Sequence, residues 1–169
     1  MLQWVVAGIL SGIVCRYAGE HRWLEDVSLF QVNLVVAFVY IAFVGGVLVL
    51  RGAGRSPALV LWAGLVVVAW VAAVRTGIEV LDPPVSSVSR GRLALAFAGA
   101  VAGLVGGALH AAANATLLPA TRTARAFLTV AAVGAVAGLS TAIDPNLWPL
   151  FIVWQGAVAG TTGYVVEKA

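Results

Sequence analysis

Charge is what this sequence has least of. Lys and Arg number 10 and Asp and Glu 7, so 10% of the 169 residues are charged while 62% are hydrophobic. A soluble domain is about half apolar and about a quarter charged, so this composition excludes an ordinary water-soluble domain. The charges sit in short clusters between long apolar runs, the pattern of a polytopic membrane protein. No segment is polar enough to fold as a separate soluble unit. Residues 1–169 therefore read as a single polytopic membrane domain whose first partner is the lipid bilayer.

Lysine is nearly absent: nine of the ten basic residues are arginines. Most flank apolar segments, where arginine anchors helix ends at the headgroups. The net charge of +3 is thus no sign of a nucleic-acid partner. The excess of Arg over Lys and the wealth of Ala fit a GC-rich prokaryotic genome, and so the cell (inner) membrane of a prokaryote.

The single cysteine, Cys15, excludes an intrachain disulfide. A lipobox would need a small residue where Val14 stands, and the start of the chain has no basic residue. The same facts argue against a cleaved signal peptide. No His, Cys and carboxylate cluster has ligand spacing, so no metal and no cofactor is expected.

No carboxylate or lysine lies inside an apolar segment. A carboxylate-based drug/proton antiporter or an acid-ringed cation channel would need one. What is left is a neutral solute, an anion held by amide and hydroxyl donors, or no transport at all.

What is present in quantity is apolar helix. Six segments can be drawn: Leu2 to Tyr17, Leu29 to Leu50, Ala58 to Val74, Leu93 to Leu118, Ala126 to Ile143 and Leu147 to Val166. The expected fold is an all-α compact bundle of about six transmembrane helices. The first segment is short, because Arg16 ends its apolar run below the roughly 20 residues a span needs. It spans if Arg16 snorkels, and is interfacial or re-entrant otherwise, leaving five spans. Arg51 to Pro57 reads as a tight turn, with Pro57 suited to the first turn of the next helix. Arg75 to Arg92 reads as the longest loop, broken by Pro83-Pro84. Asp144-Pro145 reads as an N-cap followed by a proline at the first helical position.

The stretch Gly99 to Asn114 organises the chain. Gly103, Gly107, His110 and Asn114 are spaced 4, 3 and 4 residues apart, so they share one helical face, and Gly99 extends it. Glycines let another helix approach closely, while the imidazole and amide must face protein or a water-filled cavity rather than lipid. The string GAVAG recurs at Gly99, Gly134 and Gly156, at intervals of 35 and 22 residues. With no fixed period it reads as reuse of one small-residue contact. Gly8 and Gly12 repeat the pattern in the first segment, and Gly138 and Gly160 extend it in the fifth and sixth. A glycine face left outside the bundle would serve oligomerisation.

Orientation is balanced. With six spans, the side holding both termini carries five basic residues and the other side also five. Six of the seven acidic residues fall on the second side, which weakly favours cytoplasmic termini, with insertion in both orientations as the alternative.

The polar residues inside the apolar segments are the candidate pore or pocket lining: Asn33, His110, Asn114, Ser140, Thr141 and Gln155. Each also has a structural reading. Asn33, His110 and Asn114 could be interhelical glue, and the hydroxyls could bond their own backbone. Histidine titrates near neutrality, so His110 could gate in a pH-dependent way between about pH 5 and 8. Ser140 and His110 sit in no nucleophile motif, and no enzymatic activity is expected.

The sequence from Gly8 to Asn33 resembles the small fluoride-channel family, whose first helix carries GGxxGxxxRY. Here GILSGIVCRY keeps Gly8, Gly12, Arg16 and Tyr17, with Ile9 in place of the second glycine. Val32-Asn33 matches the pair that opens the family's second helix. The resemblance implies a pore-lining amide at Asn33 and a dual-topology dimer. Two features depart from the family, which has four helices and a Thr-Thr-Phe-Ser-Thr box. Gly138-Leu139-Ser140-Thr141-Ala142 keeps only its Ser-Thr pair.

Two functions therefore compete. One is a small channel or transporter for an anion or neutral solute, working as a homo-oligomer. The other is a structural or accessory subunit of a larger membrane complex, whose work is packing. A lipid-modifying enzyme is a third class, for which no constellation is visible.

Overall fold

The computed structural model describes residues 1–20, 29–81, 91–143 and 148–168. It is all-helical, with α1 (Leu2–Glu20), α2 (Leu29–Leu50), α3 (Ala58–Leu81), α4 (Arg92–Leu117), α5 (Ala124–Gly138) and α6 (Trp148–Lys168). Three helical stretches among the described residues are long and apolar enough to cross a membrane: Ala58–Leu81, Arg92–Leu117 and Ala124–Ala142. Leu2–Ala18 and Leu34–Leu50 are shorter apolar stretches. Such segments favour helix because it satisfies every backbone N–H and C=O internally, which matters most where water is absent.

The element ends follow local chemistry. Gly52 stops α2 with φ +96°, a left-handed conformation that suits glycine, and its N–H donates to Val49 O at 3.0 Å. A short 3-10 turn, Ala53–Arg55, and Ser56-Pro57 then lead into α3. Pro119 opens a 3-10 turn, Pro119–Thr121, just past α4. Thr123 caps α5, its hydroxyl accepting from Ala126 N at 3.1 Å.

Three boundaries differ from the sequence expectation. The first part of the loop expected from Arg75 is helix, because α3 continues through Arg75 to Leu81, and residues 82–90 lie outside the described set. Nothing in Arg75–Leu81 breaks a helix, Arg75 and Glu79 have the favourable i, i+4 spacing, and Pro83 is the first strong breaker in sequence. Thr76 Oγ1 also bonds back to Ala72 O at 2.8 Å. The first helix runs past Tyr17 to Glu20. The fifth segment is not uniform, since α5 ends at Gly138 and tightens into a 3-10 turn over Leu139–Ala142. The Asp144-Pro145 cap lies outside the described residues.

The six helices form a closed circuit in chain order. Each packs on its neighbours in sequence, and α6 closes onto α1. The most extensive contacts join α4 to α5, α3 to α4 and α1 to α6. At one end, Arg51 at the end of α2 donates to Glu167 in α6 at 2.9 Å and lies over the Trp4 ring of α1 at 5.6 Å. Exposed Leu, Val, Ile and Phe side chains, among them Leu61, Leu93, Phe97, Leu128 and Val136, cover the outside. The buried polar residues include Ser11, His110, Asn114, Gln155 and Thr162, and none of the described charged side chains is buried. This is the arrangement expected of a bundle whose solvent is lipid.

Candidate functional site

The site is built from α4 outward. Its glycine stripe meets α5, backbone on backbone. A Cβ placed on Gly103 would overlap Gly134 O and lie 2.9 Å from Gly134 C. One on Gly138 would overlap Gly99 O and lie 2.7 Å from Gly99 C. One on Gly107 would reach Val130 O at 2.8 Å. At these positions no side chain fits between the two helices.

A second glycine seam joins α1 to α6. A Cβ on Gly8 would collide with Gln155 O, and one on Gly12 would lie 2.6 Å from Ile152 Cα. On the facing helix the contacts are with side chains. Gly156 receives Ile9, whose Cγ1 would be 2.9 Å from an added Cβ, and Gly160 receives Val5 at 2.7 Å.

The α4 stripe changes neighbours along its length. Its glycines face α5, but His110 and Asn114 meet α2, α3 and α6 inside the circuit. Asn114 is bonded by two helices at once. Trp62 Nε1 of α3 donates to Asn114 Oδ1 at 3.0 Å, and Asn114 Nδ2 donates to Thr162 Oγ1 of α6 at 2.9 Å. Thr162 passes its own proton to Val158 O at 3.0 Å. Gln155 ties α6 to α1, accepting from Ser11 Oγ and donating to Cys15 Sγ at 3.9 Å. Thr141 Oγ1 lies 2.7 Å from Leu95 O and 3.0 Å from Gly138 O, and Ser140 bonds back to Ala137 O at 2.7 Å.

His110 is different. It is fully buried, and neither ring nitrogen has a hydrogen-bond partner. Its ring stands edge-on between Tyr40 of α2, at a centroid distance of 4.9 Å, and Trp154 of α6, at 5.3 Å. Trp154 in turn meets Trp70 of α3 at 5.1 Å, and Trp70 meets Phe151 at 6.1 Å. The indole N–H groups of Trp70 and Trp154 are also buried without partners. An unsatisfied buried polar group costs about 1–3 kcal/mol, so a cluster of them in one nest calls for an explanation.

The structure therefore brings His110, Asn114 and Gln155 into the interior and leaves Ser140 and Thr141 near the start of α4, bonded to backbone. Asn33 lies in the first two turns of α2, and its side chain is outside the described set. Sequence reasoning did not single out Tyr40, Trp62, Trp70 or Trp154 as site residues. Tryptophans near segment ends ordinarily mark the membrane interface, yet Trp62, Trp70 and Trp154 are at most 4% exposed. The available signal was their position one to three turns inside the segments. No protein-family model, no curated protein and no solved structure matches the chain.

Proposed function

We propose that the chain is a six-span protein of a prokaryotic cell membrane, with cytoplasmic termini. In this reading it is a channel or transporter, not an enzyme, and it passes a small solute through the centre of the helix circuit. The observation that carries the reading is His110, fully buried in the aromatic nest with both nitrogens unpartnered. A passing solute with a donor or an acceptor would supply the missing partners. A neutral solute is favoured over an anion, because no charged side chain among the described residues is buried to balance one.

The test is flux from proteoliposomes holding the purified chain. Glycerol and urea serve as neutral probes, with fluoride and chloride in parallel. Glycerol or urea flux lost in His110→Leu supports the reading. Fluoride-selective flux lost in Asn33→Ala would replace it by the fluoride-channel reading. Absence of all flux from folded protein would remove transport.

The accessory-subunit reading has its own observation. The glycines of α1, α4, α5 and α6 discussed above are engaged within the chain, but Gly46 and Gly64 have nothing within 4 Å of an added Cβ. Gly46 lines an open apolar cleft between α2 and α3, together with Ala42, Gly45, Leu59 and Ala63 among others. A neighbouring helix, from a second copy or a larger complex, would approach closely there. Co-purification with a larger partner, and instability without it, distinguishes this reading.

A further inference from the structure

The charged residues are not shared evenly between the two ends of the bundle. The hydrogen bonds joining Trp62 near the start of α3, Asn114 near the end of α4 and Thr162 late in α6 put those helix ends on one side. Arg51 at the end of α2 reaches Glu167 there, and the short turn after α4 leads into α5 on the same side. This side carries Arg51, Arg55, Arg122, Arg125 and Lys168 against Glu167, a net of four positive side-chain charges.

Two of these residues have no carboxylate to pair with. Glu167 is engaged by Arg51. No Asp or Glu occurs between Asp82 and Asp144, so α4 and α5 contain no acid. Arg122 and Arg125 are both exposed. Arg122 is held in place through its Nε, which donates to Ala115 O at 2.8 Å, and its terminal nitrogens are left to other acceptors. From Arg125 a column of exposed apolar residues runs along α5: Leu128, Ala132, Val136 and Leu139. Their spacing of three and four puts them on one face, opposite Gly134 and Gly138 of the seam.

We infer that this outer face of α5 binds an acidic phospholipid, its phosphate held by Arg122 and Arg125 and an acyl chain lying along the apolar column. Arginine pairs with phosphate through parallel N–H donors, and basic side chains just outside a span attract acidic headgroups. A zwitterionic lipid brings the same phosphate with its own cation, so it binds more weakly. The inference rests on Ala124–Ala142 crossing the bilayer, for which the stretch is long and apolar enough. It does not rest on passage of a solute, so lipid selectivity and flux can each fail without the other.

The experiment uses the full chain in neutral detergent micelles and native mass spectrometry to count bound lipids. The probes are phosphatidylglycerol and phosphatidylcholine with identical acyl chains, offered in equal amounts. Phosphatidylglycerol should be retained at least about tenfold over phosphatidylcholine. Arg122→Gln and Arg125→Gln should each lower that preference about fivefold, and the double substitution should remove it. Arg125→Lys should keep most of it, and so should Arg92→Gln at the opposite end. Arg125→Gln changes only an exposed side chain and serves if Arg122→Gln fails to fold. Equal retention of the two lipids would overturn the inference, as would a preference that survives the double substitution. Displacement of phosphatidylglycerol by millimolar inorganic phosphate would make this a site for a soluble anion and overturn it too. So would a lipid-free dimer that Leu128→Arg dissociates, since the face would then belong to a second copy.

Discussion

The α4–α5 seam and the His110 nest lie on the same helix, yet they are opposites. Along the seam, Gly99, Gly103 and Gly107 bring two backbones into contact with no room for a Cβ. Its contacts are complete, with no unpartnered side-chain polar atom among them. In the nest, large rings meet edge to face, and the His110, Trp70 and Trp154 nitrogens have no hydrogen-bond partner. Each orphan is costly inside a bundle, and Trp4 Nε1, beside Gly163 on α6, is the one other such side-chain group among the described residues. The contrast teaches that α4 holds the bundle together with one part and offers unused hydrogen-bonding capacity with another.

Substitutions can break or sharpen that contrast. The largest effect belongs to the seam. Gly103→Val forces atoms into Gly134 and should cost about 3 kcal/mol or more. For a chain of this size the melting temperature should then fall by roughly 6–12 °C, measurable by circular dichroism in detergent. A Gly103→Val protein as stable as the parent would mean that α4 and α5 do not touch through glycine.

Asn114→Leu comes next. It strands the Trp62 N–H and removes the donor to Thr162 Oγ1, at about 2 kcal/mol, or roughly 4–8 °C. Trp62→Phe in the Asn114→Leu background should then cost little further, because the pair acts as one unit. Full additivity in that double-mutant cycle would deny the hydrogen bond.

His110→Leu should change stability by less than about 1 kcal/mol, since lost ring contacts are offset by removal of two unpartnered nitrogens. Solute flux should nevertheless vanish. A large loss of stability would move His110 to the seam's side of the comparison, as packing.

The smallest effect is Gly46→Ala. With nothing near an added methyl, helix propensity alone should stabilise by about 0.5–1 kcal/mol. A destabilised Gly46→Ala protein would point to a close partner helix at the α2–α3 cleft.

Much of the fold was legible because long apolar runs favour helix, which satisfies its backbone hydrogen bonds within the segment. Six apolar runs separated by charged or proline-bearing links gave six helices, and Leu29–Leu50 was read to the residue. The α3 boundary was misplaced because Arg75 and Glu79 look like loop in a hydropathy reading, although both suit a helix end that reaches water. The site was less legible. His110 and Asn114 share a face in sequence, but spacing along one helix says nothing about which other helices arrive there. Trp62 and Trp154 look like interfacial anchors until their neighbours are known.

Composition and periodicity by themselves determined that the chain is helical, apolar outside, and rich in faces that allow close approach. These are local properties: a residue's preference for lipid and a glycine's missing side chain do not depend on what packs against them. Only the tertiary structure decided that Asn114 is bonded by Trp62 and Thr162 while His110 is left without a hydrogen-bond partner. Satisfaction of a buried polar group is a property of every element that surrounds it. In this chain those elements are α2, α3, α4 and α6, brought together across more than a hundred residues of sequence.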